Sequence, residues 1–241
     1  FMLPTNFTSL DFTITNSSQY IFAGYFTGSI QLNASNTIYS NSSSGYSSED
    51  LLVIQTDFSG TITKNFHAGG HADDRIRGMD IDPSGNLYLG GFMGGNMSLD
   101  LINGSVIDYK TVDREGVVIK LDSNFNVIWS NNVTSSSQGT GAGTIGGNEI
   151  ADISWNSTNS IAIVGDCNAS KNGLSFDNNV HDYTNRTNVV KYKVCDTYYT
   201  SNTSTINQQL DGKNLYVAKL NSTGDWRWAM KTSGGYGSGL P

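Results

Sequence analysis

The sequence has few charged residues, 15% of 241, and few of the strong helix formers Ala, Glu, Lys and Leu. No stretch of ten or more residues has a clear 3.6-residue apolar period, so we expect almost no helix. No apolar run has the length of a membrane span. Gly, Ser, Thr and Asn make up the difference, and this composition favours many strands and turns.

Basic residues are also scarce. The chain has 14 Lys and Arg against 21 Asp and Glu, a formal net charge of -7, and no local cluster of cations. This excludes nucleic acid as an expected partner, because phosphates require clustered Lys and Arg. The opening FMLPTNFTSL lacks the basic start of a signal peptide, and Phe1 in place of Met suggests a processed or truncated N-terminus.

Cysteine is limited to Cys167 and Cys195. Two cysteines without a cluster of further ligands do not suit a zinc site. They allow one disulfide, which by chain entropy would contribute about 3 to 4 kcal/mol if unstrained. The alternative is a pair of free buried thiols, which is less typical of proteins outside the cell.

N-glycosylation sequons are the clearest compositional signal. Random placement of the 26 Asn and 52 Ser and Thr residues predicts about six sequons. The sequence has twelve, at Asn6, Asn16, Asn33, Asn41, Asn96, Asn103, Asn132, Asn156, Asn168, Asn185, Asn202 and Asn221. A glycan needs its Asn in an exposed turn or loop, and we expect that none of the twelve interrupts an alternating apolar segment. We therefore predict a secreted or cell-surface glycoprotein, with N-linked glycans as covalent modifications and no cofactor.

A strand–turn–strand pattern occurs three times along the chain. The copies are DFTITNSSQYIFAGYF (11–26), DIDPSGNLYLGGF (80–92) and DISWNSTNSIAIVGD (152–166). We align them on Gly24, Gly90 and Gly165. A lone hairpin buries too little apolar surface to be stable, so these hairpins must pack on something.

Each copy is followed by a loop of variable length and by a second pair of strands. These pairs of strands lie at 51–63, 116–129 and 215–228. The same position of the turn within each pair is occupied by Asp57, Asp122 and Asn221. Paired glycines follow at 69–70, 146–147 and 234–235. Four strands per unit is typical of a β-propeller blade. We predict an all-β fold, one region over 1–241, with three four-stranded antiparallel blades at about 10–70, 77–135 and 150–233. An insertion at 167–212 interrupts the third.

The run GGHADDRIRGMDIDPSGNLYLGGF, followed by GVVIKLDSNFNVIW, resembles the SBBP repeat of extracellular β-propellers. The resemblance covers nearly the whole chain from about residue 10 and is sharpest in the second copy. The first copy has Gln55 where the later copies have Lys120 and Lys219, and it lacks the closing Trp. The family implies an extracellular propeller fold and little about function.

Three blades do not close a propeller, which needs four to eight. The unpaired sides would invite association. Three explanations stay open: the chain is a fragment of a longer polypeptide, copies join to complete a ring such as two chains forming six blades, or copies stack into a filament. The expected partners are therefore copies of the chain itself or further blades of the same polypeptide.

Residues of catalytic or metal-binding type are few. Asp80, Asp82, Ser84 and Gly85 resemble half of a Ca²⁺ loop, but position twelve is Gly91 instead of Glu, and a hairpin turn explains each residue. Residues His67, His71, Asp73 and Asp74 flank a Gly-Gly pair without a nucleophile, and His181 lies in the insertion. Glu115 and Glu149 show no paired carboxylate. We predict no metal site, no catalytic residue and no enzyme activity.

Two functions remain after these exclusions, besides a propeller enzyme that nothing in the sequence favours. The first is a structural or adhesive subunit of an extracellular surface assembly or filament. The alternative is a carbohydrate-binding, lectin-like module, whose candidate stacking residues are Tyr183, Tyr192, Tyr198 and Tyr199 in the insertion. These tyrosines would equally suit a small core around the disulfide.

Overall fold

The computed structural model describes residues 2–15, 19–43, 46–110, 114–135, 148–167, 174–176, 192–194 and 214–231. These residues form strands and turns and no helix, which confirms the all-β prediction. The strands are β1 (Phe7–Ile14), β2 (Tyr20–Phe26), β3 (Ser29–Asn33), β4 (Asn36–Tyr39), β5 (Ser42–Ser43), β6 (Tyr46–Ser47), β7 (Asp50–Thr56), β8 (Ile62–Ala68), β9 (Arg75–Ile81), β10 (Leu87–Met93), β11 (Met97–Asp100), β12 (Val106–Tyr109), β13 (Glu115–Leu121), β14 (Val127–Ser135), β15 (Asn148–Asn156), β16 (Ser160–Cys167), β17 (Leu174–Phe176), β18 (Tyr192–Val194), β19 (Asn214–Asn221) and β20 (Trp226–Lys231).

Three antiparallel sheets carry the fold, and each contains four strands that follow one another in space in chain order. Sheet A is β1-β2-β7-β8, sheet B is β9-β10-β13-β14, and sheet C is β15-β16-β19-β20. The alternation of apolar residues and short polar turns in the sequence produces these meanders. Closure of the sheets around a common axis stays a prediction.

In each sheet, the segment of the chain that connects the second strand to the third contains additional short strands. In sheets A and B they include the separate hairpins β3-β4 and β11-β12. In sheet C the corresponding strands are β17 and β18, and β17 pairs with β14 at the edge of sheet B. The insertion predicted at 167–212 thus adds two strands to the neighbouring sheet.

The sheets pack face to face in chain order. We call the face of a sheet that meets the preceding sheet its front face, and the opposite face its back face. The back face of sheet A packs with Ile21 and Val53 against Leu89 and Ile119 on the front face of sheet B. A second core joins the back face of sheet B to the front face of sheet C, where Ile163 and its neighbours lie. Each fully buried aliphatic side chain contributes about 1.5 to 3 kcal/mol, so these two cores hold the three sheets together.

A bulge in the first strand of each sheet is matched by a glycine in the second. A Cβ on Gly24, Gly91 or Gly165 would lie only 2.0, 1.9 or 2.2 Å from a carbonyl oxygen of the first strand. These three glycines also pair with equivalent residues of the third strands. The alignment on Gly90 was therefore wrong by one residue, because the bulge at Arg77 shifts the register between Gly90 and Gly91.

The short turns also repeat. Asp57, Asp122 and Asn221 each begin a five-residue turn in which their amide bonds the carbonyl four residues later, and their carbonyl accepts from the residue three later. The fourth turn residue has positive φ in each case: Gly60 at 87°, Phe125 at 70° and Gly224 at 89°. The three turns are therefore equivalent in structure as well as in sequence.

Candidate functional site

On the front face of sheet A, the first two strands, β1 and β2, are exposed to solvent. The equivalent positions of sheets B and C are buried against the preceding sheet. Phe12 is 62% exposed, whereas Met79 and Ile153, which occupy its position in sheets B and C, are 8% and 4% exposed. Phe12 stacks on Phe22 with ring centroids 6.2 Å apart. An aromatic pair on a strand face is thus left in solvent where the neighbouring sheets bury the equivalent side chains.

The back face of sheet C shows the same pattern at the other end of the stack. Leu215, Trp228 and Met230 are 51%, 38% and 55% exposed. Val217 is half-buried, whereas its equivalents Val53 and Val118 are fully buried between sheets. The first and last sheets therefore expose opposite apolar faces, and patches of this kind mark interaction sites.

The outer part of the front face of sheet A is covered differently. Hairpin β3-β4 packs Ile30, Leu32 and Ile38 against Leu52 and Ile54 of the sheet. A cavity of about 500 Å³ lies beside this hairpin, and its described lining includes no aromatic or charged side chain. Sugar-binding sites typically stack the ligand on aromatic rings, so this cavity does not favour the lectin alternative.

The structure describes eight of the twelve sequon asparagines, and six of these are exposed. They lie next to strands or in turns: Asn6, Asn33, Asn41, Asn96, Asn103 and Asn156. Asn221 is half-buried, and its amide nitrogen donates to Asp225 at 3.0 Å. The amide nitrogen of Asn41 donates to both Asp50 and the carbonyl of Gly69, so a glycan there would replace one of these bonds.

Asn132 does not suit glycosylation. It lies within β14, is 2% exposed, and its amide nitrogen donates to the Glu115 carboxylate at 2.9 Å. A glycan on this nitrogen would have to displace the surrounding side chains. We therefore remove Asn132 from the predicted attachment sites. The sequence contained a signal for this burial, since Asn132 continues the strand that begins with VIW.

Several predicted residues lie outside what the structure describes. These are the sequons Asn16, Asn168, Asn185 and Asn202, together with Cys195, His181, Tyr183, Tyr198 and Tyr199. The backbones of Cys167 and Tyr192 belong to β16 and β18, but their side chains are outside the described set. The disulfide and the tyrosine cluster accordingly stay predictions.

The segment resembling a calcium loop forms a hairpin turn. The Asp82 carboxylate accepts from the amides of Ser84 and Asn86 at 2.9 and 3.0 Å, and its second oxygen accepts from the Asn86 side chain and the Tyr88 hydroxyl. Asp80 instead accepts from the backbone amide of Trp155 in sheet C at 2.8 Å. The two carboxylates thus serve the turn and the contact between sheets.

Two buried carboxyls lie where sheets A and B connect. Asp74 accepts from the amides of Gly70 and Gly94 at 2.8 and 2.9 Å, and Asp50 accepts from Asn41. Burial raises the pKa of Asp74 to about 7. The two hydrogen bonds oppose this shift, and the negative charge of Asp50 adds to it. Burial likewise raises the pKa of Asp50 to about 6. Burial thus disfavours the ionised form of both carboxyls, which hold their protons to higher pH than an ordinary Asp.

The other histidines and glutamates that the structure describes do not converge on one site. His67 is exposed, partial desolvation lowers its pKa, and its ring lies edge-on to Phe26. His71 is exposed in the connecting loop. Glu149 pairs with Arg77 and Arg114 at 3.3 and 3.5 Å, and Glu115 is buried against Asn132. Within the described residues, no three His, Cys, Asp or Glu side chains are arranged to hold a metal ion.

Among the described residues there is no helix with the length and apolar character needed to cross a membrane. Comparison of the sequence with models of protein families gives no match, and comparison with curated proteins gives none either. Functional inference therefore depends on the geometry of the chain itself.

Proposed function

We propose that this chain is an extracellular, N-glycosylated structural protein that acts as a subunit of a surface assembly or filament. Its three sheets are the blades of an incomplete β-propeller of the SBBP type, and the assembly covers the faces left open. The proposal assigns the chain no catalytic role and no cofactor.

One observation carries the proposal. Phe12 is exposed at a position where Met79 and Ile153 are buried by a preceding sheet. An apolar aromatic side chain in solvent gains no stability from burial, and it favours association with another surface. The exposed back face of sheet C supports the same conclusion from the other end of the stack.

The sequons support the extracellular location. Six exposed asparagines provide attachment sites on turns and strand ends. Two of them, Asn6 and Asn33, line the cavity at the front face of sheet A, and the other four do not. Glycans on those four would shield loops from unwanted contacts. An oxidising compartment would also suit the single disulfide predicted between Cys167 and Cys195.

The test is to isolate the protein as secreted, map its glycans by mass spectrometry after enzymatic release, and measure its mass by light scattering. We expect glycans at several of the six exposed asparagines, none at Asn132, and particles heavier than one chain. A glycan-free monomer would overturn the proposal.

A further inference from the structure

The same hydrogen bond occurs at both junctions between sheets. A side chain of the fourth strand of one sheet donates to a carbonyl in the turn between the third and fourth strands of the next sheet. Lys64 of sheet A donates to the carbonyl of Ser123 in sheet B at 2.7 Å. Trp129 of sheet B donates from Nε1 to the carbonyl of Ser222 in sheet C at 3.0 Å. Both donors lie opposite equivalent residues of the third strands, so they occupy the same position in successive sheets. Each sheet is thus anchored to the turn of the next.

The size of the fourth turn residue is complementary to the size of the donor side chain that lies over it. The Lys64 ammonium lies 5.9 Å from the ring centroid of Phe125. Trp129 instead lies on Gly224, where an added Cβ would come within 2.8 Å of the indole Cδ2. An indole at this junction therefore requires glycine at the fourth position of the facing turn, whereas a lysine accepts a phenylalanine.

Sheet C carries the next member of this series. Trp228 lies opposite Lys219 as Trp129 lies opposite Lys120, and it is 38% exposed on the back face. The turn of sheet A has Gly60, with φ of 87°, at the position of Gly224, and Phe58 at the position of Ser222. The chain therefore contains both halves of an indole-on-glycine junction, on its two open faces.

We propose that the back face of sheet C docks on the front face of sheet A of a second copy, head to tail. In this junction Trp228 Nε1 donates to the carbonyl of Phe58, and the indole lies over Gly60. The inference rests on the proposed assembly function and names its partner. A contact of this kind is heterologous, so it closes into a ring if the rotation permits and otherwise forms an open stack.

The open faces also provide apolar surface. In both internal junctions a first-strand carboxylate accepts a backbone amide of the next sheet: Asp11 from Met79 at 2.7 Å and Asp80 from Trp155 at 2.8 Å. The amide of Phe12, which corresponds to that of Met79, already donates to Asp11 at 2.8 Å, so the new junction does not depend on this polar contact. On β19 and β20 the exposed Leu215 and Met230 would face Phe12 and Ile14 of the second copy, which replaces solvent by apolar contact on both faces.

The experiment uses three variants of the full 241-residue chain. Trp228→Arg blocks the back face of sheet C, and Phe12→Arg blocks the front face of sheet A. Val106→Arg is the matched control, because Val106 is 55% exposed on β12 and belongs to neither face. Sedimentation velocity is measured from low micromolar to millimolar concentration, with circular dichroism to verify the fold.

We expect the wild type and Val106→Arg to self-associate, and each blocked variant to bind itself at least about 30-fold more weakly. An equal mixture of the two blocked variants has one intact junction and should stop at a dimer. If both blocked variants assemble as the wild type does, the head-to-tail junction is wrong while assembly itself stands. If the 241-residue wild type stays monomeric at every concentration, a second copy is not the occupant, and further blades of a longer polypeptide take its place.

Discussion

The two ends of the sheets use polar residues in opposite ways. At the turn end, where the five-residue turns lie, Asp57 and Asp122 accept backbone amides of their own turns. The hydroxyl of Ser59 and neighbouring amides lower the pKa of Asp57. Hydrogen bonds from Asn126, outweighing slight burial, lower that of Asp122. At the connection end, where one sheet leads to the next, burial raises the pKa of Asp50 and Asp74.

Local hydrogen bonds therefore dominate at the turn end, and contacts between residues far apart in sequence dominate at the connection end. The turn end is stabilised by hydrogen bonds whose donors and acceptors belong to the same five-residue turn. The connection end depends on groups brought together by packing of two sheets, where a charge loses its hydration. We therefore expect substitutions at the connection end to have larger effects and a different pH dependence.

Glycine substitutions test the comparison with the largest expected effect. Gly91→Ala places a Cβ 1.9 Å from the Arg75 carbonyl oxygen, so a strand must move, and we expect a loss of about 3 kcal/mol or more in the free energy of unfolding. Gly85→Ala at the turn end strains a residue with φ of 82° and brings a Cβ to 3.3 Å from that of Ser123, at about 1 kcal/mol. Urea unfolding measures both. Equal losses would contradict the idea that the two glycines serve different purposes.

The buried carboxyls predict an unusual pH dependence. Asp74 keeps its proton in the folded state up to about pH 7 but loses it near 3.8 when unfolded. The folded state therefore binds more protons between these values, and the free energy of unfolding falls as pH rises, by up to about 4 kcal/mol. Urea unfolding across this range measures the slope, and Asp74→Asn should reduce it to the part that Asp50 contributes.

The neighbouring Asp73→Asn is the control for that experiment, since Asp73 is exposed next to the same connection. It should leave the slope nearly unchanged. Asp57 and Asp122, whose pKa values are lowered, act at the acid end instead: their contribution is complete above 3.8 and is lost as pH falls below it. Asp50 alone should leave a smaller slope of the same sign in Asp74→Asn, so an undiminished slope in that variant would place the titration elsewhere.

At the turn end the effects should be smaller and depend on the acceptor alone. Asp122→Ala removes the bonds from the backbone amides of Asn124 and Asn126 and from the Asn126 side chain, and we expect a loss of about 1 kcal/mol. Asp122→Asn keeps an acceptor oxygen, as Asn221 does in sheet C, and should cost only about a third of that. Thermal and urea unfolding of the two variants measure the difference. Equal losses would mean that the charge, and not the acceptor, stabilises the turn.

The sequence predicts the turn end better than the connection end. The Asp57, Asp122 and Asn221 turns follow from five consecutive residues, and their recurrence after similar apolar strands is enough to reveal the repeat. The choice between Gly90 and Gly91 depends on a bulge in another strand, so two adjacent glycines leave the register ambiguous and the alignment on Gly90 was wrong. Likewise Asp50 and Asp74 become partners only when two sheets pack, and no local pattern marks their burial.

An ion pair at the connection end shows how the same position accepts opposite charges. Glu49 pairs with Arg75 where sheets A and B connect. Arg114 pairs with Glu149 where sheets B and C connect, at 3.5 Å. Each pair flanks an equivalent backbone bond, from Asp74 to Glu49 and from Asn148 to Arg114. The signs are exchanged between the two junctions, so the position accepts an ion pair in either order.

Reversing the Glu49–Arg75 pair gives the smallest expected effect. Glu49→Arg or Arg75→Glu alone places like charges together, whereas the double variant reproduces the order of Arg114 and Glu149. Arg75 also lies 4.6 Å from the Tyr25 ring, and its replacement loses that contact whether residue 49 is Glu or Arg. A double-mutant cycle therefore cancels the loss. We expect a coupling of about 0.5 kcal/mol that decreases with added salt, measured by urea unfolding at two ionic strengths. A coupling that ignores salt would show that packing rather than charge links the two side chains.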